Sequence, residues 1–547
     1  MVDLNETIDN DLSKNVQDCS VSKKKKKSNK KKSNGPAPPP LDPFYEQAFT
    51  SYPVKLNNTR AKGRHVTASE NLEAGVGLCQ EQASAFVVRS EFLDQQCHVC
   101  LTDLSQKMMC SDCQKVFYCS QECLEKNNDL HVLVCSAFAQ VDAIGRATDV
   151  DSDLLRLMTL LMAQKYLDTQ KTNNHEDPKP TPYWCVEELI SHKEDTNPAF
   201  IKVLAEAASR LLMEMQENMH ISVDDMVTLA CRINSNAHGL GDNQSRNTDV
   251  ALGLFPLGAM FFNHGCNPNT AFVGMPNGQL AFRTIRPVSK DEELVVSYID
   301  LYSDRDERRQ DLLASKHFWC KCKRCASPIE KSVDRFLQGV DCKECQKDVY
   351  VIPATPVEHL TKGSKSLYLE KGTFKCAQCA HEISADAVRD TLDSANKTYM
   401  LGMTAIRQER NYRKGSEKLE VLTKSTNNGL HTLNSFKLNS FIPLMNCKRH
   451  NGDLKGAIEV NKSILNLMEQ YAEKGLPANT SEISDYWQNL GELCEKMKET
   501  QGRSAVLEKK WAKEAKAAFS NALKIRSVVF GKDHPKTMLI QKRMESI

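Results

Sequence analysis

Four ligand pairs crowd into one short stretch of the chain: Cys97-x2-Cys100, Cys110-x2-Cys113, Cys119-x3-Cys123 and His131-x3-Cys135. Donors two or three residues apart let a single turn deliver two of them to one Zn2+. Eight donors fill two tetrahedra and leave no open position for water, so both sites are structural. A second group, Cys320-x-Cys322-x2-Cys325, is one ligand short of a closed site. The upstream candidate for its fourth ligand is Cys266 in FFNHGCNPN, in a turn between an apolar run and the following strand. A third group, Cys342-x2-Cys345 and Cys376-x2-Cys379, has the spacing of a zinc ribbon. These 15 cysteines and His131 make sixteen ligands, enough for four Zn2+. The other cysteines of the 21 (Cys19, Cys79, Cys185, Cys231, Cys447, Cys494) stand apart and read as small buried hydrophobes or surface thiols.

Metal rather than disulfide is the expected use of these thiols. The first residues, MVDLNETIDNDLSKN, are polar and lack an apolar signal segment, which predicts a reducing compartment, cytoplasmic and/or nuclear. The longest apolar stretch, Ala251 to Phe262, contains Gly and Pro and is too short to cross a bilayer, so no membrane association is predicted. At 547 residues with 40% apolar content the chain has material for several cores. Lys and Arg number 72 against 70 Asp and Glu, so any charge effect must be local. One local run, VSKKKKKSNKKKSNGPAPPP, reads as part of a disordered tail over 1–43, suited to nuclear import or to nonspecific polyanion contact.

The finger, including KVFYCSQEC, resembles the MYND zinc finger. That resemblance implies interleaved sites: Cys97, Cys100, Cys119 and Cys123 on one zinc, and Cys110, Cys113, His131 and Cys135 on the other. NHGCNPN resembles the NHSCxPN signature of SET-domain lysine methyltransferases, EELVVSYID resembles their catalytic-tyrosine strand, and RAKGRHVTASENLEAGVGL resembles their first strands. A SET domain split by a MYND finger is the arrangement of the SET and MYND domain methyltransferases. Membership implies that Cys266 joins Cys320, Cys322 and Cys325 on one zinc. It also implies S-adenosylmethionine as methyl donor, Tyr298 as catalytic residue, and Gly63, Arg64, His65, Asn236, Asn263, His264 and Phe318 as cofactor contacts. Three positions depart from the family pattern: His65 replaces the second Gly of Gly-Arg-Gly, His238 replaces an aromatic, and Lys316 replaces a tyrosine of the lysine channel. Lys316 is expected to face the inner mouth of that channel.

The expected fold is α+β, a β-rich SET-type fold split by the finger, closed by a post-SET zinc site and followed by a helical, TPR-like domain. Helical spacing runs from Ala137 to Leu167, from Phe200 to Cys231 and from about Thr391 onward, whereas QLAFRTI and EELVVSYI read as strands. The predicted boundaries are 44–96 for the first SET part, 97–135 for the finger, 136–235 for a helical insert and 236–303 for the SET core. The post-SET region then takes 304–330, the ribbon 331–390 and the TPR-like helices 391–547. Trp487-x2-Leu490-Gly491-x2-Cys494 and Ala515-x3-Phe519-x2-Ala522 match the two helices of an irregular TPR-like unit. GKDHPKT, near the end of the last long helix, resembles the family's endings.

The transfer chemistry needs a neutral lysine amine in a dry channel, oriented by a hydroxyl and facing the sulfonium methyl. The first functional reading is therefore a protein-lysine N-methyltransferase, expected to be monomeric, whose finger and C-terminal helices recruit protein partners. The second is a SET/MYND adaptor with little turnover. Sequence-specific DNA binding comes third, because SQECLEKNNDLHVLVC carries acids beside a single Lys.

Overall fold

The computed structural model describes residues 38–173, 181–241, 249–360, 372–424, 428–501 and 504–547, so the Lys-rich run lies outside the described residues. After a short helix, Pro43–Phe49, comes an antiparallel hairpin in which Val54–Thr59 pairs with Gly63–Ala68. Gly63 turns it at φ 66°, a left-handed conformation that glycine adopts without a side-chain clash. Two three-stranded antiparallel sheets follow. One orders Gly77–Gln82, Gln279–Thr284 and Thr270–Met275, and the other Ala85–Val88, Asp249–Leu254 and His238–Gly241. Each sheet takes its first strand from before the finger and the others from after the helical insert. The β-rich core is split in sequence and continuous in space. Leu78, Leu280, Phe282, Leu254 and Phe255 seal it from water.

EELVVSYI does not form the continuous strand its sequence predicts. Its backbone changes partners along its length. Ala68 N–H donates to Glu292 O, Leu294 N–H to Val66 O and Val296 N–H to Asn263 O, while Asn269 and Thr270 N–H both donate to Val295 O. The segment is threaded between the first hairpin and the loop after Phe262, and only isolated bridges survive, including a parallel one between His264 and Val296.

The first two predicted helical stretches each divide in two. The helix Gln121–Thr148 begins inside the finger, where the Ser120 hydroxyl accepts from Cys123 N–H at 3.3 Å. It stops at Asp149, which has φ 57°. The chain then doubles back so closely that a Cβ on Gly145 would lie 2.8 Å from the Val150 carbonyl, and Ser152–Asn173 follows. Similarly, Pro198–Met213 ends before Ser222 caps the new helix Val223–Asn236, its hydroxyl accepting from Asp225 N–H at 3.0 Å.

From Ala385 to Glu545 the described residues are almost wholly helical. The helices Ser481–Gln501 and Ala505–Val529 pack with Leu490, Cys494, Ala515, Phe519 and Ala522 in one cluster. Gly491 permits the contact, since a Cβ there would fall 2.7 Å from the Phe519 ring. Within GKDHPKT, His534 caps the final helix Pro535–Glu545, its Nδ1 accepting from Lys536 N–H at 3.1 Å. Its Nε2 lies 2.9 Å from the Gly274 carbonyl, so the neutral ring donates there and ties the helical lobe to a sheet strand. Among the described residues no helix is long and apolar enough to cross a membrane.

Candidate active site

The sixteen metal-type ligands form four clusters, each with its ligand atoms within 4.8 Å of one another. The finger pairs interleave: Cys97, Cys100, Cys119 and Cys123 form one cluster, Cys110, Cys113, His131 and Cys135 the other. Cys266 meets Cys320, Cys322 and Cys325, and Cys342 and Cys345 meet Cys376 and Cys379. Sulfur separations of 3.5 Å for Cys100–Cys119, 3.8 Å for Cys266–Cys320 and 3.6 Å for Cys345–Cys376 suit one ion at each centre. A tetrahedron with Zn–S of about 2.3 Å has edges of about 3.8 Å.

Buried charge around the third cluster supports the same fit. Arg305, Arg308 and Arg324 all pair with Asp334, at 2.8, 3.0 and 2.8 Å, and all four side chains are buried. Arg324 also donates to the Cys266 carbonyl at 2.8 Å, and Arg308 comes within 3.8 Å of Cys325 Sγ. Three guanidiniums against one carboxylate leave two positive charges in low dielectric, which is costly unless they are balanced. Four thiolates on Zn2+ carry a net charge of −2. The sum is then zero.

Beside this cluster lies a cavity of about 290 Å3. Gly63 and Arg64 line it from the first hairpin, Asn236 and His238 from the end of the insert, and Asn263 and Tyr298 from the threaded loops. Lys316 and Phe318 complete the wall from the post-SET segment. Residues from five separated stretches thus converge on one space.

The contacts give each side chain a role. The Tyr298 hydroxyl donates to the Phe262 carbonyl at 2.8 Å, and burial raises its phenol pKa, so the proton stays on. Asn263 Nδ2 donates to the carbonyls of Lys62 and Arg64, both at 3.2 Å, and pins the glycine turn to the cavity floor. Arg64 is tied to Glu188, to its carboxylate at 2.6 Å and its carbonyl at 2.7 Å, so its guanidinium braces the wall. Lys316 points inward. Its ammonium donates to the Ser235 carbonyl at 2.7 Å and lies 5.6 Å from the centre of the Tyr298 ring, and burial lowers its pKa. His238 is packed edge-on against Phe255, Phe272 and Phe282, and burial, reinforced by Lys316, takes it down to about 4, so it is neutral near pH 7.

Three expected cofactor contacts sit differently. His65 is buried with its Nδ1 3.0 Å from the Gly63 carbonyl and does not line the cavity, because strand alternation turns it to the opposite face from Arg64. His264 also stays outside the lining. Its Nδ1 accepts from Tyr298 N–H at 3.1 Å, which leaves Nε2–H aimed at Cys266 Sγ, 3.1 Å away. It links the tyrosine backbone to the zinc cluster. Asn236 ends a helix rather than lying on a strand, and its amide donates to Ile190 O at 2.9 Å and Arg232 O at 2.8 Å. Leu189, Ile190 and His192 close the cavity from a segment in which no sequence motif signals a site. Their placement follows from the Asn236 and Arg64 hydrogen bonds.

A second cavity, about 350 Å3, lies between the sheets and the C-terminal helices. It shares Gly239 and Phe272 with the first, and Asp249, Asp300 and Glu482 line it.

Comparison with known proteins agrees with this geometry. The SET domain family model matches residues 63–299. Human N-lysine methyltransferase SMYD2 (Homo sapiens) is 24% identical over 496 residues, covering 89% of this chain and 96% of that protein. A SET and MYND domain-containing protein of Dictyostelium discoideum is 24% identical over 54% of this chain and 64% of its own length. By these matches the chain contains a SET domain and is similar to a SET and MYND domain-containing protein. Histone-lysine N-methyltransferase ASHR1 of Arabidopsis thaliana is similar over a shorter span, 25% identical across 52% of this chain and 58% of its own length.

Proposed function

We propose that the smaller cavity holds S-adenosylmethionine and the larger one admits the substrate lysine, the methyl passing across the wall they share at Gly239 and Phe272. The activity is protein-lysine N-methylation, with S-adenosylmethionine as donor and a protein as substrate. The observation that carries the residue assignment is the convergence of Asn263, Tyr298 and Phe318 on one cavity backed by a second, acid-lined one.

In this reading Gly63, Asn236 and Asn263 frame the cofactor site and Phe318 covers one face of it. Arg64 and His264 act as positioning residues, the first bracing the wall and the second fixing Tyr298. The Tyr298 hydroxyl, held on the Phe262 carbonyl, orients the acceptor amine, while the aromatic shell around His238 keeps water out. The donor supplies an electrophilic methyl on a sulfonium. Asp249, Asp300 and Glu482 outnumber Lys536 in the lining of the larger cavity, which favours a cationic substrate segment.

Calorimetry with S-adenosylmethionine, paired with transfer of labelled methyl to proteins of the cell of origin, tests this. Binding and transfer together support it, and no binding to the intact protein would defeat the site assignment. Lys316, in a position where a cation faces the acceptor, favours the adaptor of low turnover as a second reading; binding without transfer would select it. The TPR-like pair around Gly491 supports recruitment of protein partners by the helical lobe. A monomer in the cytoplasm and/or nucleus, with polyanion contact limited to the Lys-rich tail, completes the proposal.

A further inference from the structure

A methyl acceptor in this cavity has to be a neutral amine, sheltered from water, oriented by a hydrogen bond and close to Tyr298. One side chain of the protein itself is sheltered, hydrogen-bonded and close to Tyr298. Lys316 ends the helix Arg305–Lys316, and His317 after it takes φ 57°, so the helix stops where the lysine turns into the cavity. Its Nζ lies 5.6 Å from the centre of the Tyr298 ring and donates to the Ser235 carbonyl at 2.7 Å. Among the described residues no carboxylate pairs with it. A buried ammonium without a counter-charge is driven toward the free amine, and a cationic methyl donor in the same cavity would drive it further. The single hydrogen bond to Ser235 holds one N–H and leaves the lone pair available.

Resting on the reading of this cavity as the cofactor site, we propose that Lys316 is itself a methyl acceptor, modified in cis by its own active site. The Nζ lone pair forms the N–CH3 bond as the S–CH3 bond breaks. The bonding pair leaves with sulfur, S-adenosylhomocysteine is the neutral leaving group, and the positive charge passes to the methylated nitrogen. The proton that ammonium must first lose goes to solvent, and no oxidant or second co-reactant is needed. Tethering on a helix end holds the amine in the cavity at a high effective concentration.

The experiment uses the full zinc-loaded chain with trideuteromethyl-labelled S-adenosylmethionine, peptide mass spectrometry, and calorimetry on the same preparation. The expected result is a labelled Lys316 peptide, formed at a rate unchanged over a tenfold range of protein concentration. The rate should rise as pH goes from 7 to 9, and Tyr298→Phe should slow it by about a hundredfold. A Lys316→Arg chain should lose the label from that peptide. Cofactor binding with the Lys316 peptide unlabelled would overturn the proposal and leave the cavity reading standing. Labelling that scales with protein concentration would overturn the cis step. No cofactor binding would remove the cavity reading, and this proposal with it.

Discussion

The finger and the post-SET cluster hold the same kind of site in opposite surroundings. In the finger, clusters of half-buried ligands sit on one small hairpin and the start of one helix, and the sequence between Cys97 and Cys135 supplies everything they need. The Cys266 cluster has three of its four thiols buried, joins Cys266 to a trio of cysteines 54 to 59 residues further along, and lies within a cage of three arginines and Asp334. It is also wired to the candidate active site. Cys266 touches His264, His264 holds the Tyr298 backbone, and Lys316 and Phe318 of the cavity wall lie just before Cys320 in the chain. A local zinc site stabilises its own turn, whereas a non-local one fixes the distance between elements that carry chemistry.

The largest test of that contrast is Asp334→Ala. Removing the carboxylate strands three buried cations, and a loss of about 3–5 kcal/mol is expected in urea unfolding. A loss below about 1 kcal/mol would show that the cage is not balanced as described. Burial raises the Asp334 pKa, but Arg324 and Arg308 outweigh it and hold the carboxyl at about 2, below the unfolded value of about 3.9. Its contribution is thus complete above about pH 4 and is lost as pH falls from there toward 2. Acid titration of the Asp334→Ala chain should lack that component.

Tyr298→Phe comes next. It removes only a hydroxyl aimed at the reacting centre, so methyl transfer should drop about a hundredfold with cofactor affinity within about twofold. Equal losses in both would mean that the hydroxyl supports the wall and not the reaction.

Zinc removal separates the two regions directly. Cys266→Ser should release one Zn2+ and weaken S-adenosylmethionine binding about tenfold or more, because the chain from Lys316 to Phe318 loses its anchor. Cys119→Ser should release one Zn2+ from the finger and leave cofactor affinity within about twofold. Metal analysis and calorimetry on both chains give the answer, and equal effects would erase the distinction. The parent chain should hold four Zn2+ per molecule; three would remove the ribbon at Cys342 to Cys379.

The smallest effect is expected from Lys316→Tyr. Exchanging the inward lysine amine for an aromatic wall should raise transfer to external substrate about two- to fivefold, by removing a competing polar group from the channel. An unchanged or lower rate would mean that Lys316 does not limit turnover.

Much of the site was legible in the sequence because it rests on short motifs with fixed internal geometry. Asn263, Cys266, Tyr298 and Phe318 lie in such motifs, and the structure places each beside the cavity or in the zinc cluster next to it. The misplacements share a cause. Seeing a histidine where a glycine is usual does not say which face of the strand it occupies, and His65 turns away from the cavity. His264 was expected as a cofactor contact but is occupied with Tyr298 and Cys266, a role visible only once the threaded loops are brought together. EELVVSYI has the alternation of a strand, yet its hydrogen bonds are shared among three neighbours and no ladder forms.

Spacing determined that the paired cysteines and His131 would group into metal sites, since a turn of two or three residues brings donors together wherever the chain goes, whereas Cys266 was assigned to Cys320, Cys322 and Cys325 by resemblance. Local chemistry likewise determined the helical and β-rich regions and the left-handed turn at Gly63. Only the tertiary structure decided that Lys316 points into the cavity with the Ser235 carbonyl as its partner, that Asp334 and three arginines surround the Cys266 cluster, and that Leu189, Ile190 and His192 close the wall of the smaller cavity. Those contacts join residues 10 to 124 positions apart. They depend on burial and charge balance, which no stretch of sequence contains by itself.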